Sequence, residues 1–176
     1  MNLIASSQNL ISTEKILTVE GLEVIRKEPA TGHKFCLKVE KFEAKAEQRI
    51  CLVGRSGSGK TTFLEALGLL CRPTKLKRFE LSPYSDEPPI SLTGPLLSGQ
   101  VDFLSTIRAR TMGFVLQEGG LLPYLTVLEN AEIALQLSGK EINESRSQKI
   151  SHFAREMGLV DIMDRLPGQL SGGQRQ

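Results

Sequence analysis

Arg49-Ile50-Cys51-Leu52-Val53-Gly54-Arg55-Ser56-Gly57-Ser58-Gly59-Lys60-Thr61-Thr62 is the stretch that decides the fold. The apolar run after Arg49 reads as a strand buried on both faces. It feeds directly into a loop of the form Gly-x4-Gly-Lys-Thr, and residues 61–70 have the composition of a helix. Strand, glycine loop and helix in that order are the context of a phosphate-binding loop. Gly57 and Gly59 allow backbone angles barred to other residues, so consecutive amide N–H groups can point inward at phosphate oxygens. The helix that starts near Lys60 adds its positive dipole end. On this reading residues 54–62 cradle a nucleoside triphosphate. Lys60 reaches the β- and γ-phosphates, and the Thr61 hydroxyl holds Mg²⁺. The bland alternative is a glycine-rich turn with a solvated lysine, which leaves the flanking strand and helix unexplained. The loop alone does not separate ATPases from GTPases or small-molecule kinases.

Outward from the loop, residues 16–19 and 22–25 read as short strands with Gly21 between them, and Phe35, Leu37 and Val39 alternate with polar residues. An antiparallel sheet at the amino end is expected. Residues 1–14 read as a polar tail without the basic start and long apolar core of a secretory signal. Five of the eight prolines fall between Pro73 and Pro95, so 72–106 reads as an irregular insertion with little regular structure. Residues 112–116 are expected as a second buried strand ending at Gln117. Thr126-Val127-Leu128-Glu129 has the form of a capping box opening a helix to about Leu137. A further helix is expected over 143–157, with Ile150, Phe153, Ala154 and Met157 on one apolar face and Gly158 at its end.

Bulk properties narrow the function. A net charge of +2 argues against a dedicated nucleic-acid surface, and no nucleic-acid partner is expected. The three cysteines, Cys36, Cys51 and Cys71, lack metal-ligand spacing and read as buried reduced thiols of a cytosolic protein. No apolar run approaches the ~20 residues that span a bilayer, so any membrane role comes through a partner.

The carboxyl end separates the nucleotide classes. Leu170-Ser171-Gly172-Gly173-Gln174 matches, letter for letter, the signature of ATP-binding cassette (ABC) ATPases, and it lies roughly 110 residues after the phosphate loop. Gly113-Phe114-Val115-Leu116-Gln117 resembles the strand leading into that family's Q-loop. Leu121-Leu122-Pro123-Tyr124-Leu125-Thr126-Val127-Leu128-Glu129-Asn130 resembles the family's segment just past the Q-loop. This last stretch is more similar to lipoprotein-releasing and macrolide-type exporters than to sugar importers. The resemblance implies an α/β fold: a P-loop NTPase core with an amino-terminal antiparallel β-subdomain and a helical subdomain at 118–176, inside an incomplete ABC ATPase domain at 15–176. It implies ATP and Mg²⁺ as cofactors, with Lys60 and Gln117 catalytic and Thr61 and Gln117 on the metal. Ser171, Gly172, Gly173 and Gln174 would complete the nucleotide site of a second ATP-binding subunit, the same chain or a related one. An integral membrane permease would hold the protein at the cytoplasmic face.

Several positions depart from the family pattern. Arg26 stands where an aromatic residue usually stacks on adenine; a guanidinium can stack on a base, or the segment can be plain solvent-facing loop. Glu47-Gln48 replaces the usual Gly-Glu turn. The carboxylate strand, catalytic glutamate and switch histidine come after the signature in the family and are not found in these 176 residues; His33 and His152 lie elsewhere. Two other readings fit a phosphate loop with a signature: a soluble ABC ATPase acting on ribosomes or DNA, and a non-catalytic remnant. Without the general base this chain by itself is expected to turn over ATP far below the ordinary ~1–10³ s⁻¹. A steady-state ATPase rate within that range contradicts the expectation.

Overall fold

Lys15–Lys27 (β1) and Lys34–Lys45 (β2) form a long antiparallel ribbon, with Leu22 opposite Val39 and Val24 opposite Leu37. Arg78–Leu81 (β3) pairs with the other edge of β1, and Ile90–Ser91 (β4) pairs with β3, giving the order β2-β1-β3-β4. The computed structural model describes residues 14–27, 32, 34–84, 86–115, 120–137 and 144–175, of 145 and 146 the backbone alone. The chain divides into two compact units, Met1–Ser105 and Thr106–Gln176.

The antiparallel amino-terminal sheet expected from the sequence is present, but its first two strands are one. Gly21 lies inside β1 at φ 61°, and the buried set slips in phase there, from Val19 to Leu22 and Val24. The chain 74–77 runs against this point: Glu23 N–H donates to Lys75 O at 2.8 Å, and Lys77 N–H donates to Glu20 O at 2.9 Å. A Cβ on Gly21 would sit 2.6 Å from the Lys77 side chain. The glycine therefore serves a phase slip and a close approach, not a break between strands.

The stretch 72–106 is more regular than its prolines imply. It holds β3, β4, a helix at Thr93–Ser98 (α2) and the start of another at Val101–Thr111 (α3). Phe79 and Leu92 are fully buried, and Leu96 and Leu104 nearly so. The prolines sit between these elements and at the first turn of α2, where a missing N–H costs nothing. Local composition pointed to loop, and core burial overrides it.

Two runs expected as central buried strands carry no strand here. Residues 49–53 pair with no other backbone among the described residues; Cys51 is exposed and Val53 is 49% exposed. Residues 112–115 form no strand either: Met112 N–H continues the preceding helix to Arg108 O at 3.0 Å, Val115 is 77% exposed, and Leu116 lies outside the described residues. An apolar run becomes a strand only when neighbouring strands satisfy its N–H and C=O groups. The thiols depart from expectation in the same way. All three cysteines are free, but Cys36 and Cys51 are exposed and only Cys71 is half-buried.

The turn at Glu47-Gln48 keeps its form without glycine. Glu47 takes φ 61°, in the left-handed region, at a cost of about 1 kcal/mol. Lys45 N–H donates to Gln48 Oε1 at 3.0 Å, and Gln48 N–H donates back to Lys45 O at 3.3 Å, two contacts that help hold the turn.

Lys60–Leu67 (α1) is fixed to the ribbon by Phe63, fully buried and edge-to-face with Phe42 of β2 at a centroid distance of 5.1 Å.

In the second unit the capping box forms as read. Thr126 N–H donates to Glu129 Oε2 at 2.7 Å, Glu129 N–H donates to Thr126 Oγ1 at 3.2 Å, and Val127–Leu137 (α4) begins there. Glu144–Glu156 (α5) is ended by Gly158 at φ 66°. Its expected apolar face is mostly wet: Ala154 is buried, whereas Phe153 is 58% and Met157 68% exposed. The helical period is there; what covers it is not among the described residues of this unit.

This packing has two measurable outcomes. Phe63→Ala removes the aromatic anchor of α1 and is expected to cost about 3–5 kcal/mol in urea unfolding; a loss under about 1 kcal/mol contradicts the anchor. The Glu129 carboxyl is held below its ordinary value by the Thr126 backbone N–H and then by the Thr126 hydroxyl. A depressed folded-state pKa means stability that is present above the unfolded value and lost as pH falls through the folded one. Helical NMR shifts of 127–137 should therefore fade on acidification through the carboxylate range, and Glu129→Gln should flatten that response. An unchanged profile in the variant contradicts the box as the source.

Candidate functional site

The first unit carries an open cavity of about 630 Å³, lined by residues 56–62 on one side and by Arg26, Lys27 and Phe35 on the other. That volume falls in the range of small-molecule and cofactor sites. The loop side is shaped by two glycines in the left-handed region, Gly57 at φ 76° and Gly59 at φ 95°. Gly59 also admits a neighbour, since a Cβ there would lie 2.6 Å from Cζ of Phe35. Gly59 caps α1 with its backbone alone, which leaves the amides of the first turn without intrahelical acceptors. These are the donors an anion takes at a helix start.

Lys60 is half-buried and folds back over the loop. Its Nζ donates to Gly54 O at 2.8 Å and to Arg55 O at 2.9 Å. Thr61 is exposed at the rim and Thr62 is buried in α1. Among the described residues Ser58 Oγ is buried without a hydrogen-bond partner, and it fills the space a Cβ on Gly54 would need, at 2.7 Å. An orphaned hydroxyl inside a loop is a donor still to be satisfied.

At the other side, Arg26 donates through Nη2 to Glu65 Oε2 at 2.5 Å. Glu65 belongs to α1, so the helix that begins at the loop also holds the cavity's far wall. Cys71 lies in the same cluster: burial pushes its thiol up, and the Arg26 guanidinium pulls it partly back. Sequence reasoning missed Phe35 as a wall residue, because its alternation marks only a strand. The Arg26–Phe35 pairing across the ribbon is what brings it to the loop.

The signature lies in the second unit. Ser171 N–H donates to Gln174 Oε1 at 2.9 Å and Gln174 N–H donates to Ser171 Oγ at 3.3 Å, a second capping box, which opens the short helix Gly172–Arg175 (α6). Gly173 lies in that helix, exposed. Gln169 makes the same reach just before, accepting from Leu166 N–H at 2.8 Å. Gln117 lies outside the described residues. The segment after it is organised by Asn130, a buried amide that sequence reading did not single out. Its Oδ1 accepts from Leu122 N–H at 2.8 Å, while its Nδ2 donates to Leu122, Leu125 and Thr126 carbonyls at 2.9–3.2 Å.

Among the described residues no group of three His, Cys, Asp or Glu side chains could hold a metal, and no helix is long and apolar enough to cross a membrane.

Comparison with known proteins agrees with this geometry. The family of ABC transporters matches residues 37–176. An uncharacterised ABC transporter ATP-binding protein of Thermotoga maritima is 38% identical over 136 residues, which cover 77% of this chain and 53% of that protein. The lipoprotein-releasing system ATP-binding protein LolD of Aquifex aeolicus is 35% identical over 145 residues, 80% of this chain and 57% of that one. A macrolide export ATP-binding/permease protein MacB of a Shewanella species is 35% identical over 130 residues, 73% of this chain and 18% of its own length. The chain thus spans about half the length of the first two relatives. An ATP-binding cassette solved as a dimer in a post-hydrolysis state with ADP and Pi shares the fold at a TM-score of 0.62 and 24% identity, over 91% of this chain and 65% of that one.

Proposed function

The chain belongs to the ABC transporter ATP-binding family, and we propose that it binds Mg-ATP between two subunits and couples its hydrolysis to transport through a membrane permease. The observation that supports this reading most strongly is the cavity itself. A glycine-shaped loop, the first turn of α1, an orphaned Ser58 hydroxyl and the Lys60 ammonium converge on one space of nucleotide size.

In this reading the amides of 57–61 and the Lys60 ammonium bind the β- and γ-phosphates. The Thr61 hydroxyl is a hard neutral oxygen at the exposed rim, the donor type Mg²⁺ accepts beside phosphate oxygens. Bound there, Mg²⁺ supplies charge neutralisation on the phosphates. Gln117 offers an amide oxygen to the ion and a hydrogen bond to the attacking water. Ser171 to Gln174 present the start of α6 to the γ-phosphate of a second subunit, so that nucleotide joins the two and hydrolysis parts them. The permease partner holds the pair at the cytoplasmic face of the membrane.

Lys60→Ala is the direct test. Mg-ATP affinity measured by calorimetry should fall at least tenfold against the parent chain; equal affinity removes residues 54–62 from nucleotide binding.

A further inference from the structure

The N–H groups at the start of a helix have no acceptors within it. In α4 all four are taken, and two of them leave the helix. The capping box uses the outer pair, the N–H groups of Thr126 and Glu129. The inner pair reaches a segment far along the chain: Val127 N–H donates to Arg165 O and Leu128 N–H to Met163 O, each at 3.0 Å. From those carbonyls to the signature every step is held. Arg165 N–H donates to Ile162 O at 3.0 Å, and Leu166 N–H donates to Gln169 Oε1 at 2.8 Å. Gln169 N–H returns to Leu166 O at 2.9 Å, and Leu170 N–H donates to Pro167 O at 3.2 Å. Pro167 and Leu170 are buried, and Ser171 follows at once. Where α4 begins therefore decides where Ser171 lies.

The beginning of α4 is set by Asn130. All the bonds of its side chain go to the turn 122–126, and they use both its oxygen and its nitrogen. The Thr126 carbonyl is held twice, by Asn130 Nδ2 and by Asn130 N–H, each at 2.9 Å. In a buried network of this kind a broken bond leaves an unpaired polar group, so small rotations are opposed. Thr126 cannot turn freely, and the direction of the next two amides is fixed with it.

We propose that Asn130 is a positioning residue for the signature. It locks the entry to α4, and through the bonds of Val127 and Leu128 it sets the place of Ser171 to Gln174. The consequence for nucleotide rests on the reading of the signature as part of a second subunit's site; the placement itself does not.

Amide hydrogen exchange, followed by NMR on the full chain, tests the placement. Asn130→Ala is expected to cut protection about tenfold or more at Val127, Leu128, Gln174 and Arg175, with changes under about threefold in the middle of α5. Asn130→Asp keeps the size and the acceptor for Leu122 but turns a carboxylate on three carbonyls. It gives the same pattern with the Leu122 amide still protected, and it carries the test if the alanine variant does not fold. Protection lost evenly through the second unit, or a second unit unfolded in both variants, marks a plain core residue and overturns the proposal. So does protection kept at Gln174 and Arg175 in the variants, or a parent with none there. Sedimentation with Mg-ATP reads the nucleotide side. Asn130→Ala should weaken self-association about tenfold and leave the Mg-ATP affinity of the single chain within about twofold. Unchanged association despite lost protection at Gln174 and Arg175 also overturns the positioning role. A parent that binds Mg-ATP yet stays monomeric ends the two-subunit reading and leaves the placement standing.

Discussion

The packing of Phe35 against Gly59 is the contact on which the site's shape depends. A ribbon and a loop far apart in sequence meet at a distance that only a residue without Cβ allows. Through that contact the loop inherits the rigidity of β1 and β2, and through Phe42 and Phe63 the adjoining helix does as well. The two contacts fix α1 at both its start and its first turn. The positions of Lys60, Thr61 and Glu65 are then set by helical geometry.

The ribbon is itself secured on its second edge by 74–77 and β3, supplied by the proline-rich stretch. Phe79 opposite Val19 and Leu81 opposite Leu17 continue the apolar side of the ribbon into that stretch, and Leu92 closes it from beyond. The surface charges contribute far less. Lys15 and Lys41 share Glu43 on exposed strand ends, an arrangement worth little in water.

Much of this was legible in the residues. The phosphate loop, the capping box at Thr126 and the glycine end of α5 are local patterns, set by neighbours within four positions, and each has the geometry its sequence implies. Misreadings arose where distant chain decides. Whether 49–53 becomes a central strand depends on what lies beside it, and no spacing within the run encodes that. Gly21 looked like punctuation because the segment that crowds it, around Lys77, lies more than fifty residues on. The regular structure of 72–106 was hidden by prolines that fall between elements. In the site itself, the loop residues could be named from sequence. Phe35 and Glu65 needed the strand register and the helix to bring them there.

The ammonium of Lys60 already has two acceptors in the loop it crosses. On the nucleotide reading proposed above, an arriving phosphate does not meet an idle cation; it must displace Gly54 and Arg55 as partners. The net gain is the difference between a charge-to-carbonyl and a charge-to-anion hydrogen bond, less the cost of opening the first. Held by both carbonyls, the lysine at the loop's end is tied to the residues at its start. Selectivity is sharpened by the same competition. A polyphosphate brings more charge to that exchange than a weakly charged ligand does.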